Sequence, residues 1–160
     1  MTFRRFKAPT GFRGEFQMNV KVLLVDDEQP FVEALAKRLD RRGLTMKTAF
    51  SGQEALDKLA HDSHIDVVIL DVKMPGMDGI ETLKAIKSSY PLLDVIMLTG
   101  HATVESAIEG MKVGALDYLM KPCDIEILMK KVEEAKTKKT RQQEKIAEAR
   151  ALQIVLSRGV

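Results

Sequence analysis

Val20-Lys21-Val22-Leu23-Leu24-Val25-Asp26-Asp27-Glu28 is a short apolar run that breaks off in three consecutive carboxylates. Rich in β-branched residues and almost free of polar alternation, it reads as a strand buried on both faces. A second run, Ile65-Asp66-Val67-Val68-Ile69-Leu70, ends the same way, on Asp71. Two buried strands that each deliver acid at the carboxyl end imply a sheet with one chemically loaded edge.

The segments around these runs fill in the pattern. Pro30 to Arg42 puts Phe31, Leu35 and Leu39 at helical spacing and stops at Gly43. Leu44–Phe50 is strand-like, and Ser51 with Glu54 forms a capping-box pattern that opens a helix through Leu59. Beyond Asp71, Asp78 caps a helix over Gly79–Ser88, Asp94–Leu98 is a strand, and a helix from Thr103 to Val113 stops at Gly114. Leu116–Met120 is the fifth strand, and Asp124 caps a last helix. Five strands alternating with five helices predict a parallel sheet covered on both faces. Right-handed crossovers leave few topologies. The expected class is α/β, a flavodoxin-like doubly wound sheet of order 2-1-3-4-5 with an extended last helix.

Composition narrows the function. A chain of 160 residues, 45% hydrophobic and 30% charged, has the make-up of a soluble domain with short extensions. Its single cysteine excludes an internal disulfide and a zinc ribbon. No apolar run reaches the ~18 residues of a membrane span, and none follows the basic residues near the start, so a cytoplasmic location is expected. Residues 1–19 carry four basic and one acidic side chain, and residues 129–160 nine and four. The middle, 20–128, has 12 against 18, so an acidic body lies between basic ends. That argues against a nucleic-acid-binding core, which needs a positive face. The expected organisation is a flexible arm over 1–19, a domain over 20–130 and a helical extension over 131–160. Met18, just before the first strand, competes with Met1 as the translational start.

Open α/β sheets bind ligands beyond the carboxyl ends of their strands, at the switch point between strands 1 and 3. Strand 1 delivers Asp26 and Asp27 there and strand 3 delivers Asp71. Strand 4 ends in Thr99 and strand 5 is followed by Lys121. Carboxylates ~5 Å apart repel by about 3 kcal/mol per pair at an effective dielectric near 20, so the cluster calls for a cation. An all-oxygen donor set favours Mg²⁺ over zinc or copper. Magnesium shares its shell readily with phosphate, which suits phosphoryl transfer. Lys121 adds a second cation, and Thr99 a hydroxyl able to donate to a phosphoryl oxygen.

Four segments together carry a resemblance: Val22–Glu28, Ile69–Gly79, Met97–Ala102 and Gly114–Pro122. Over residues 20–130 the chain resembles bacterial response-regulator receiver domains, and more narrowly the receivers of enhancer-binding transcription activators. The resemblance implies a phosphorelay role with Asp71 as phosphoacceptor. Asp26 and Asp27 would hold Mg²⁺, Asp27 directly, with the Lys73 carbonyl completing the protein's share. It further implies that Lys121 pairs with the acceptor or its phosphate, through a Lys121–Pro122 bond that is cis. Thr99 and Tyr118 would be the switch pair, acting on the face of helix 4, strand 5 and helix 5. The implied partners are a sensor histidine kinase or a histidine phosphotransfer protein, and a second copy through that face and the tail. No enzymatic output beyond self-phosphorylation and dephosphorylation is implied.

Two other classes fit less well. A hydrolase with Asp71 as nucleophile would have a second Asp two residues on, where Lys73 stands. A flavin module would need hydroxyl and glycine donors after strand 1, where Asp26, Asp27 and Glu28 repel phosphate. Glu28 reads either as a further site carboxylate or as the start of a loop. His61 and His64 read as solvated, and His101 lies near the site mouth. Cys123 reads as a small packed residue, and core packing accounts for most of the nine methionines.

From Asp124 no Pro or Gly occurs until Gly159. A continuous helix there would run ~52 Å. Leu128, Val132, Ala135, Ile146, Ala149 and Leu156 follow steps of four and three, interrupted by Lys139, Gln142 and Gln153, as a weak coiled-coil seam. Repulsion among Lys136, Lys138, Lys139 and Arg141 of paired chains should make association stronger at high salt. The seam fits three uses: pairing two chains, docking on a partner, or leading as a linker into a downstream domain. The tail itself is too short for a DNA-binding output domain, so no direct DNA-binding domain is expected within it.

Overall fold

A computed structural model describes residues 19–158. The arm expected over 1–19 therefore lies almost wholly outside the described residues. The elements are β1 (Lys21–Val25), α1 (Gln29–Arg41), β2 (Thr45–Ala49), α2 (Gly52–His61), β3 (Val67–Leu70), α3 (Gly79–Ser89), β4 (Asp94–Thr99), α4 (Val104–Val113), β5 (Asp117–Met120) and α5 (Ile125–Arg158). All pairings are parallel, and the order is β2-β1-β3-β4-β5. Both the five-strand, five-helix alternation and the doubly wound order expected from the sequence are realised.

Strand periodicity sorts the core into two layers. Leu23, Val25, Val68, Leu70, Val95 and Met97 point to one face, against α2 and α3. Val22, Leu24, Val67, Ile69, Ile96 and Leu98 point to the other, against α1 and α5. Residues two apart share a face, so the central strands are apolar along their middles, with polar residues only at their ends: Lys21, Asp94 and Thr99. The edge strand β2 instead alternates exposed and covered residues.

Local chemistry sets the ends of the helices. Pro30 sits in the first turn of α1, and Gly43 beyond it takes a positive φ of 91°. The Ser51 side chain accepts from the Glu54 amide, capping α2. The return bond is shifted by one residue from the expected box, since the Glu54 carboxylate accepts from the Phe50 amide at 3.0 Å. A reciprocal capping box does form at α4, between Thr103 and Ser106.

α5 departs most from its sequence reading. It is a single 34-residue helix, but the first half of the expected seam is not free to pair with another chain. Leu128, Val132 and Ala135 are buried in this chain's own core. Lys136 and Lys139 reach Asp66 at 2.9 and 3.3 Å, and Lys138 reaches Asp94 at 3.4 Å. Both acids are buried at the amino ends of the sheet strands. The tail lysines thus anchor the helix to the base of the sheet, and the seam can begin only near Gln142. Among the described residues no helix is long and apolar enough to cross a membrane.

Candidate functional site

Five loops converge at the carboxyl edge of the sheet. Asp26 follows β1 directly; its amide donates to the Ala49 carbonyl at 3.1 Å, which fixes the direction of its side chain. The Asp71 amide donates to the Val25 carbonyl at 3.0 Å, tying the end of β3 to the end of β1. Asp26 and Asp71 are 1% and 2% exposed, while Asp27 faces solvent. Oxygens of these three carboxylates lie within 4.8 Å of one another. Buried acids beside an exposed one make a site that a cation can enter from solvent.

The loop after Asp71 is shaped by a close approach. A Cβ on Gly79 would stand 2.0 Å from the Asp71 carbonyl oxygen and 2.6 Å from the Val72 Cα, so a side chain there would push α3 off the end of β3. The Gly79 amide closes the loop onto the Val72 carbonyl at 2.7 Å. Exposed Lys73 lies within this loop, two residues beyond Asp71.

Burial pushes the Asp71 carboxyl above its ordinary pKa. The Asp26 charge adds to that rise, while the Thr99 hydroxyl, Lys121 and the Val72 amide, whose N–H donates to Asp71 at 2.8 Å, oppose it. Thr99 is fully buried at the end of β4, its hydroxyl accepting from the His101 amide at 3.0 Å. Lys121 follows β5, joined to Pro122 by a cis bond, and its amide donates to the Thr99 carbonyl at 2.8 Å. Its ammonium donates to Asp26 Oδ2 at 2.5 Å. The family resemblance implied that Lys121 pairs with the acceptor or its phosphate; in the structure its carboxylate partner is Asp26. Each of the two buried carboxylates already accepts one backbone amide, Asp26 from Glu28 and Asp71 from Val72, and the Lys121 side chain reaches across the carboxyl edge from β5 to the end of β1.

Tyr118 is half-buried on β5, and its hydroxyl lies 2.6 Å from Ser106 Oγ. Ser106 also accepts from the Thr103 amide at 3.1 Å. One serine therefore ties the start of α4 to the aromatic ring. The sequence reading missed Ser106, because a capping box is recognised by Glu or Gln at that position. It read Phe31 as an ordinary helix-spaced apolar residue, yet the Phe31 ring centroid lies 3.8 Å from Lys121 Nζ. Glu28 is exposed, and its amide caps Asp26 Oδ1 at 3.0 Å. His61, His64 and His101 are exposed. Cys123 is half-buried, and burial raises its thiol pKa.

The family model described as the response regulator receiver domain matches residues 22–133. The chain is 40% identical over 117 residues to the transcriptional regulatory protein ZraR of Escherichia coli (strain K12), covering 73% of this chain and 26% of that protein. It is 41% identical over 114 residues to the DNA-binding transcriptional regulator NtrC of the same strain, covering 71% and 24%. The chain thus spans about a quarter of the length of these curated relatives. A response regulator receiver domain protein from Clostridium thermocellum superposes with a TM-score of 0.74 at 36% identity, covering 77% of this chain and 98% of that one. NtrX from Brucella abortus, in complex with ATP, gives 0.73 at 31% identity, covering 79% and 29%.

Proposed function

The chain belongs to the response regulator receiver domain family of two-component systems, and on that premise we propose that it accepts a phosphoryl group on Asp71 from a partner's phosphohistidine. The observation that supports this most directly is the placement of Asp71, buried between the Asp26–Asp27 pair and the Thr99–Lys121 pair.

In the step itself an Asp71 carboxylate oxygen attacks phosphorus, the P–O bond forms, and the P–N bond to the donor imidazole breaks. The imidazole nitrogen keeps the bonding electron pair and takes up a proton. Asp26, Asp27 and Asp71 would hold Mg²⁺, with the Lys73 carbonyl as a further donor, and the ion would offset the charge of the incoming phosphate. The all-oxygen donor set and the solvent-facing Asp27 fit such an ion. Lys121 would exchange Asp26 for a phosphoryl oxygen, and the Thr99 hydroxyl would donate to another. The new charge, about −1.5 to −2 at pH 7, would draw Thr99 inward and release Tyr118 from Ser106. That would alter the α4–β5–α5 face, where Val104, Ile108, Met111, Met120 and Ile127 are exposed. The domain division at residue 130, a cytoplasmic location, and pairing with a second copy or another partner through this face belong to the same reading.

The test is phosphorylation by acetyl phosphate with Mg²⁺, followed by intact-mass analysis. One acid-stable, hydroxylamine-labile phosphoryl adduct is expected, lost on chelation and in Asp27→Ala. An adduct that persists undiminished in Asp71→Asn would overturn the assignment.

A further inference from the structure

Lys121 and Phe31 come from opposite ends of the domain and meet only in the folded chain. Phe31 lies in the first turn of α1, which opens directly after the acidic run at the end of β1, its first helical bond running from the Val32 amide to the Glu28 carbonyl at 3.0 Å. Lys121 arrives from the far edge of the sheet, after β5. Its ammonium lies 3.8 Å from the ring centroid and 2.5 Å from Asp26 Oδ2, and its side chain is 15% exposed. The other Asp26 oxygen already accepts from the Glu28 amide at 3.0 Å. Both oxygens of this carboxylate are therefore occupied, and among the described residues the cation that must yield Asp26 to an incoming metal is Lys121.

We propose that Phe31 is a positioning residue: its ring holds the Lys121 ammonium on Asp26 and so sets how strongly the protein's own cation competes with a divalent ion there. The inference rests on the reading that the acidic cluster takes Mg²⁺. An ammonium over an aromatic face is attracted by the ring quadrupole even where both are partly solvated. An aliphatic side chain of similar volume fills the same space without that attraction. Removing the ring frees Lys121 to swing toward solvent or Asp71, and Asp26 becomes more available. At the lower end of the range for such contacts, Mg²⁺ affinity changes about two- to fivefold.

The experiment is a Mg²⁺ titration of the full chain without any phosphodonor, by calorimetry and by the amide shifts of Asp26, Asp27 and Asp71. Phe31→Leu should tighten Mg²⁺ binding about two- to fivefold, the range set by the cation–ring attraction. Phe31→Trp, which keeps an aromatic face, should return it to the wild-type value or weaken it. In a Lys121→Met background, Phe31→Leu should have no effect on the Mg²⁺ dissociation constant. The Lys121 side-chain protons should carry an upfield ring-current shift that Phe31→Leu abolishes and Phe31→Trp retains. Mg²⁺ binding that is unchanged in Phe31→Leu, or changed equally with and without Lys121, overturns the role of Phe31 while leaving the metal reading intact. A wild-type chain that binds no Mg²⁺ overturns both.

Discussion

Asp71 carries its charge at a cost, because burial and the neighbouring Asp26 both favour its neutral form. Replacing it with Asn removes a like charge from a desolvated place and keeps the shape. Asp71→Asn should therefore melt higher than wild type in metal-free buffer at neutral pH, a comparison calorimetry makes directly; a lower melting point would mean that the Val72 and Thr99 interactions outweigh the repulsion. Ser106 poses the second residue-scale question. Its hydroxyl accepts from the Thr103 amide and meets Tyr118 at 2.6 Å, so Ser106→Ala should loosen both the first turn of α4 and the ring. The Thr103 side-chain cap on the Ser106 amide survives, so the loss is that of the return hydrogen bond, about 0.5–1.5 kcal/mol, and faster amide exchange over residues 103–107 is the expected sign. Unchanged Tyr118 ring shifts in that variant would sink the link. At this scale Asp26, Asp27, Asp71, Thr99 and Lys121 were legible because each ends or follows a strand. Ser106 and Phe31 were not, because what gives them meaning is a partner distant in sequence.

α5 shows how one element can serve two purposes. Its amino half is core: Leu128 is 1% exposed, and Leu128→Ala should cost about 2–5 kcal/mol in urea unfolding. Its middle is an electrostatic anchor. Burial pushes the Asp66 carboxyl up, but the Lys21 amide, Lys136 and Lys139 outweigh that and leave it below the usual range. A carboxylate held low in the folded state contributes stability that is present above the unfolded pKa, ~3.9, and is lost as pH falls through the folded value. Asp66→Asn should therefore destabilise by about 1–3 kcal/mol at pH 7, on the scale of charged hydrogen bonds, and the gap from wild type should close in acid below pH ~4. A gap of equal size at pH 7 and pH 3 would show that the anchor is not ionic. Periodicity made the helix legible, but a heptad pattern cannot say whether its apolar stripe faces another chain or its own sheet.

At the scale of the whole molecule, the domain ends in a rod. Residues 143–158 are exposed throughout and would project about 24 Å beyond the sheet. Leu152, Ile154, Val155 and Leu156 are 54–69% exposed there. Three basic and two acidic side chains leave this segment a net charge of +1. The repulsion expected from the tail lysines is thus largely cancelled within the chain, since Lys136, Lys138 and Lys139 are paired with Asp66 and Asp94. Any self-association through the rod should accordingly be weak and nearly independent of salt, where the charge pattern of the sequence alone called for stronger association at high salt. Sedimentation of the full chain and of one ending at Gln142, at ~0.1 M and ~1 M salt, separates the cases. Association that survives the truncation would place it on the α4–β5–α5 face instead.

The sequence by itself determined the alternation of strands and helices, the parallel order of the sheet, and which edge carries the chemistry. These follow from short-range physics: a strand buried on both faces must be apolar throughout, and a polar residue that ends such a run must lie at the sheet's rim. Only the tertiary structure decided which charges neutralise which. Lys121 rests on Asp26 and Phe31, and the tail lysines rest on Asp66 and Asp94. Pairings of that kind depend on distances between side chains 44 to 95 residues apart, and no local pattern encodes them. Coulombic attraction chooses among acids by proximity and burial, and both exist only once the sheet has brought its strand ends together.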